Sequence, residues 1–198
     1  MLNPSQIAHI TFSAVIVCWF AFAAVFLLRK RPPKAAESRR DRASFWGIFL
    51  QACGYAVVWF QMPHSSYLRM VLPSASAEIA LGILTVVLAV ASVWLVTWAV
   101  RTLGKQWAVA ARLVEGHRLI THGPYRFVRN PIYTGMLGML LATGLALHHW
   151  VRLILGTALF AVGMAIRVRS EEKLLRSAFG QEFDEYAQRV HAVLPGIF

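Results

Sequence analysis

Gly123-Pro124-Tyr125-Arg126-Phe127-Val128-Arg129-Asn130-Pro131-Ile132-Tyr133-Thr134-Gly135 is the stretch from which the rest of this chain becomes readable. It packs two X-Pro turns, two arginines and two tyrosines into thirteen residues, directly before an apolar run. Gly123-Pro124 reads as a turn, because proline presets its φ. Arg129-Asn130-Pro131 reads as a helix start: asparagine is a good N-cap and proline fits the first helical position. The helix so launched is Ile132 to about Leu147, almost wholly apolar. A helix N-terminus carries free N–H groups and the positive end of the dipole, so it attracts a carboxylate or phosphate. With two arginines beside it, the place is expected to take an anionic group at a membrane surface.

Composition agrees with a membrane. The chain has 198 residues, 58% of them hydrophobic and only 15% charged, with a mean hydropathy of +0.55. A soluble domain is nearer half apolar and a quarter charged. The formal net charge of +11 invites a nucleic-acid reading, but the bases lie in blocks between apolar runs, the pattern of membrane topology. Cys18 and Cys53 both fall inside apolar runs with no ligand spacing around them, so they read as buried thiols, neither a disulfide nor a metal pair. No metal is expected.

Three long apolar segments come first. Residues 7–28 are long enough to cross a hydrocarbon core, which needs about 20 residues. A signal peptide carries its positive charge before the apolar run; here Arg29-Lys30-Arg31 follow it, so the segment reads as a retained first span. The second span is 43–62, rich in Trp46, Tyr55, Trp59 and Phe60, and the third is 78–100. Residues 101–131 form a basic connector. Two shorter apolar runs, within 132–147 and 151–166, are separated by His148-His149-Trp150, which forces a tight helical hairpin whose arms are short for a full crossing. Gly135, Gly138 and Gly144 in one arm, with Gly156 and Gly163 in the other, permit close helix approach. The polar tail carries a helix over 167–190, broken near Phe179-Gly180 by the glycine. The expected fold class is therefore all-α, a polytopic membrane protein of about five transmembrane helices: three in an N-terminal part (1–100), and the hairpin in a second part (101–198) that ends in the tail helix.

Orientation follows from the bases. Seven of the 20 lie in 29–42, six in 101–131 and five in the tail, leaving Arg69 and Arg152 on the other side. The positive-inside rule places the tail and the Gly-Pro-Tyr stretch in the cytoplasm and the N-terminus outside, in a bacterial inner (plasma) membrane.

The chemistry concentrates in those cytoplasmic segments. On a continuous helix Arg167 and Glu171 share a face, as do Arg169 and Lys173, and Glu172 and Arg176. Charges this close to a bilayer are costly unless paired or working. A cation and a carboxylate on one face can together grip a zwitterion such as an amino acid. The plain reading, a solvated helix laced by ion pairs, has the same spacing. His148 and His149 read as interfacial loop residues at the hairpin tip, and His122 as solvated. Asp184 and Glu185 read as a solvated face. Trp107 either covers a pocket or anchors at the interface. His9 and His64 sit near span ends, which argues against a haem site.

Gly116-His117-Arg118-Leu119, the Gly123–Gly135 stretch, Arg167-x-Arg169-x-Glu171-Glu172-x-x-Leu175 and Phe179-Gly180-x-Glu182-Phe183-x-x-Tyr186 resemble the isoprenylcysteine carboxyl methyltransferase family, which groups with the phospholipid N-methyltransferases. The resemblance covers roughly Leu103 to Pro195. Before Leu103 the spans match only in hydrophobicity. It implies an integral membrane enzyme using S-adenosylmethionine, with the cofactor pocket formed by connector, hairpin and C-terminal helix. Carried over, His117, Leu119, Gly123, Pro124 and Tyr125 line the adenosine side. Arg129, Asn130, Pro131 and Tyr133 lie near the methionine carboxylate, and Glu171, with Glu172 beside it, takes the ammonium. Arg167 orients the acceptor, making Arg167, Glu171 and Tyr133 the catalytic set. One departure stands out: the family usually has His where this chain has Asn130, and an amide cannot shuttle a proton near neutral pH. That favours an acceptor needing little base help, such as a lipophilic carboxylate reaching the site from the bilayer. A phospholipid amine, a sterol-reductase-like NADPH enzyme and a non-enzymatic lipid-binding protein stay open as alternatives.

Overall fold

A computed structural model describes residues 3–28, 37–40, 43–60, 72, 74–104, 112–114 and 118–194. His64, Arg69, Trp107, His117 and most of the first basic segment lie outside the described residues.

Six α-helices and one short β-ribbon make up the described chain: α1 (Pro4–Leu27), β1 (Glu37–Arg40), α2 (Ala43–Trp59), α3 (Ala75–Leu103), β2 (Arg112–Val114), α4 (Pro131–Ala146), α5 (Trp150–Phe179) and α6 (Gln181–Arg189). Local sequence sets several of the ends. Asn3 caps α1 in a reciprocal box with Gln6, and Pro4 stands at the first turn, where its missing N–H costs nothing. Ser74 accepts from the Ala77 amide to start α3. Gly104 and Gly180, at φ +55° and +50°, close α3 and α5 in the left-handed region that glycine adopts without strain. The break expected near Phe179-Gly180 is therefore present.

α1, α3 and α5 are long and apolar enough to cross a membrane, while α2 and α4 are shorter apolar helices of 17 and 16 residues. At 1.5 Å per residue the short pair reach about 25 Å, less than the roughly 30 Å of a hydrocarbon core. The second hairpin arm and the first part of the tail helix are one continuous helix, α5.

α4 is the central helix. Ten of its sixteen residues are buried, and it packs against α1, α2, α3 and α5. Small residues set these approaches. A methyl group on Gly138 would stand 2.3 Å from the Ser92 hydroxyl of α3, and one on Gly135 would stand 3.0 Å from the Ser92 carbonyl. Gly156 and Gly163 do not serve the hairpin itself. They face Gly54 and Gly47 of α2, where added methyl groups would come within 2.8 and 2.7 Å of the opposing carbonyls. Of the hairpin glycines only Gly144 meets the other arm, at Leu153. Close approach was legible in the glycines; the partner helices were not.

Two differences from the sequence expectation follow from long-range contact. The all-α description omits the ribbon: β1 pairs antiparallel with β2, Arg39 opposite Leu113 and Arg40 opposite Arg112. Its strands are short and highly charged, with no alternating apolar pattern to announce them. The ribbon joins residues 37–40 to 112–114, and β2 lies against α5. At the opposite end, His148 takes a positive φ of 52° and sets its Nε2 2.8 Å from Glu78 in the first turn of α3. His149 is buried, so this pair is packed against the bundle and is not a loose loop tip. Cys18 and Cys53 are free thiols, half-buried.

Candidate active site

The organising stretch forms a 3-10 turn, Gly123–Arg126, that leads into α4. Gly123 sits at φ +64°, and a methyl group there would be 2.9 Å from the Thr102 hydroxyl, so both backbone and space require glycine. Pro124 and Tyr125 are buried. The Tyr125 carbonyl accepts from the Tyr186 hydroxyl of α6 at 2.6 Å, and the Tyr125 hydroxyl reaches the Ala99 carbonyl of α3 at 3.5 Å. Leu119 is half-buried, and His122 is exposed, as expected.

Asn130 stands at the start of α4, but its side chain does not cap the helix. It donates from Nδ2 to the Ala192 carbonyl at 3.0 Å. The tail runs past here as a strap. The Arg129 amide donates to the His191 carbonyl at 2.8 Å and the Asn130 amide to the Ala192 carbonyl at 2.9 Å. The Thr134 hydroxyl donates to the Val193 carbonyl at 2.6 Å. The Arg129 and Asn130 amides and the Asn130 side chain are thus taken by the chain's own carbonyls.

Arg129 is committed in the same way. Its guanidinium forks onto Glu172 from Nε at 2.9 Å and from the second terminal nitrogen at 2.8 Å. It also donates to the carbonyls of Ala187, at 2.8 Å, and Val190, closing the end of α6. Arginine at a helix C-terminus meets both the last carbonyls and the negative end of the dipole. Arg129 and Glu172 therefore pin α5, α6 and the strap together. On the spacing of α5 Glu172 could face Arg176. Instead Arg176 pairs with Asp184 across the Gly180 break at 2.7 Å, an exposed contact of little energetic weight.

Arg167, Glu171 and Tyr133 do come together. The Tyr133 hydroxyl donates to Glu171 Oε1, and Arg167 donates to the same oxygen at 3.4 Å. The guanidinium lies 5.0 Å over the Tyr133 ring centroid, within cation–π reach. Arg167 is buried, its side chain 8% exposed, while Glu171 keeps 27% of its side-chain surface open. The stem of Arg167 passes α2 at Gly47, where a methyl group would fall 2.4 Å from its Cγ. One neighbour escaped sequence reasoning: Gln51 of α2, 2% exposed, whose Oε1 accepts from Arg167 at 3.5 Å. The available signal was an amide at the middle of an apolar span.

The family model for phospholipid methyltransferases matches residues 78–182. The chain belongs to that family. A probable protein-S-isoprenylcysteine O-methyltransferase of Oryza sativa subsp. indica is 38% identical over 101 residues, covering 50% of this chain and 53% of that protein. Protein-S-isoprenylcysteine O-methyltransferase B of Arabidopsis thaliana is 32% identical over 99 residues, covering 49% and 50%. The chain spans about half the length of these curated relatives. A solved eukaryotic intramembrane isoprenylcysteine carboxyl methyltransferase superposes with a TM-score of 0.65 at 20% identity, over 100% of this chain and 69% of that one. The family's fold is thereby shared, including α1 and α2, which lie outside the matched region.

Proposed function

We propose that this chain is an S-adenosylmethionine-dependent membrane methyltransferase whose acceptor is a lipophilic carboxylate, of the kind an isoprenylated cysteine presents, at the cytoplasmic leaflet. The single observation carrying the reading is the convergence of Tyr133, Arg167 and Glu171 where α4 and α5 meet, with Glu171 the most open of the two charged groups. This donor set fits the cofactor: a partly open carboxylate suits an ammonium, and a buried guanidinium beside it suits an anion. Family membership and the relatives' names support the same reading.

When bound, S-adenosylmethionine supplies a methyl group on a sulfonium, whose departure leaves a neutral thioether. Glu171 holds the ammonium, and its own position is held by the Tyr133 hydroxyl. Arg167, stacked on the Tyr133 ring, orients the acceptor carboxylate. Such an acceptor is already a nucleophile at pH 7, so no residue has to remove a proton. Asn130, tied to the Ala192 carbonyl, does not have to act as a base. Holding both reactants in line in a dry site can supply about 7–11 kcal/mol of the barrier reduction. A phospholipid amine is the second reading, favoured by the open edge of Glu171, where a carboxylate is free to take the amine's proton.

The test is equilibrium binding of S-adenosylhomocysteine to detergent-purified protein. Micromolar binding that weakens at least tenfold in Glu171→Gln supports the enzyme, since a charge-assisted contact is worth roughly 1.5–3 kcal/mol. No binding at millimolar ligand favours a non-enzymatic lipid-binding protein, and binding of NADPH instead favours a reductase. Radiolabelled methyl transfer to a farnesylated cysteine against a phospholipid amine then separates the two acceptors.

A further inference from the structure

Gln51 is a buried primary amide in the middle of α2, with its neighbours on the helix almost all apolar. Its oxygen accepts from the Arg167 guanidinium at 3.5 Å, which leaves the Nε2 donor of the same amide for another acceptor. That nitrogen is fully buried with no hydrogen-bond partner among the described residues. A buried donor left unmade costs free energy that an apolar side chain of the same shape would not. Such a residue in a span is a functional candidate by default.

The surroundings say what the amide serves. Gly47 clears the space in which the Arg167 stem crosses α2, and Gly163 lets the backbones close there, since a methyl group on it would fall 2.9 Å from the Gln51 backbone nitrogen. Arg167 and Gln51 therefore form one cluster of N–H donors built across α2 and α5. Glu171 accepts from Arg167 on the α5 side of this cluster. Met136 and Met164 pack both against the Tyr133 cluster and against Val58, Leu140 and Phe160. Their flexible thioethers can yield room beside it without backbone movement.

Resting on the methyltransferase reading, we propose that Gln51 is an acceptor-binding residue. Its oxygen steadies Arg167, and its Nε2 donates to one oxygen of the acceptor carboxylate while Arg167 takes the other. The N-terminal helices would then contribute chemistry to the site and not packing alone.

The experiment uses the full chain in detergent with Gln51→Met, which keeps volume and removes polarity, and with Gln51→Glu. Two ligands are measured: S-adenosylhomocysteine, and an S-farnesylated cysteine carboxylate against its carboxamide analogue. The expected result is unchanged S-adenosylhomocysteine binding in Gln51→Met. Its preference for carboxylate over carboxamide falls by about ten- to a hundredfold, the weight of one hydrogen bond to a charged group. Gln51→Glu, which sets a second anion beside the acceptor, loses more. Carboxylate preference that persists in Gln51→Met overturns the assignment alone. So does a parallel loss of S-adenosylhomocysteine binding, which marks Gln51 as a packing residue. Failure of the unaltered chain to bind S-adenosylhomocysteine overturns the methyltransferase reading, and the Gln51 role falls with it.

Discussion

At the scale of single residues, the candidate site divides into groups that hold the chain and groups left to hold something else. Arg129, Glu172, Asn130 and Tyr186 belong to the first kind. Asn130→Ala removes the side-chain bond to the Ala192 carbonyl, worth about 1 kcal/mol. Hydrogen exchange should show faster opening of the strap at 191–194, with the core of α4 unchanged. Tyr186 gives a pH signature. Its ordinary value is 10.0, and burial, partly opposed by the Arg129 charge, pushes it up to about 12. A raised value means the neutral phenol is favoured in the folded state. Its contribution is therefore complete below pH 10.0 and fades as pH climbs through about 12. Melting curves of Tyr186→Phe should show a lower melting temperature at neutral pH and a flatter decline on that alkaline limb.

Among the elements, the contact of α2 with α5 carries the most consequence. Gly47 faces Gly163, and Gly54 faces Gly156, the two contacts spaced seven residues apart along antiparallel helices. Van der Waals packing through small residues is the main adhesive between helices in lipid, where the hydrophobic effect gives little. Gly47→Ala places a methyl group 2.7 Å from the Gly163 carbonyl and 2.4 Å from Arg167 Cγ. The helices must separate or the arginine must move. Overpacking of this kind costs about 1–3 kcal/mol, read as a drop in detergent melting temperature, and acceptor affinity should fall with it. Gly54→Ala meets the Gly156 carbonyl at 2.7 Å but lies further from Arg167. It should cost comparable stability and spare the acceptor site, so comparing the two separates packing from positioning.

On the scale of the whole molecule, the β1–β2 ribbon joins residues 37–40 to 112–114, and the positive-inside rule predicts a cytoplasmic location for this side. Ser177 and Ser76 are exposed near opposite ends of the bundle. In intact cells lacking other reactive thiols in the chain, Ser76→Cys should react with an impermeant maleimide and Ser177→Cys only after lysis. The reverse pattern would place the site outside and remove the methyl-donor reading with it.

What the sequence by itself determined is local in origin. Hydropathy marks the long helices because each span satisfies its own backbone in lipid. Gly180 marks a helix end because caps act within one turn, and Arg167 meets Glu171 because four residues bring side chains to one face. Only the tertiary structure decided the rest. It brings Gln51 to Arg167 across 116 positions and Arg129 to Glu172 across 43. It also brings the strap carbonyls to Asn130 and pairs a charged ribbon that no periodicity announces. Hydrogen bonds and glycine clearances between distant segments depend on where helices cross, and a one-dimensional pattern of apolar residues does not encode which faces meet.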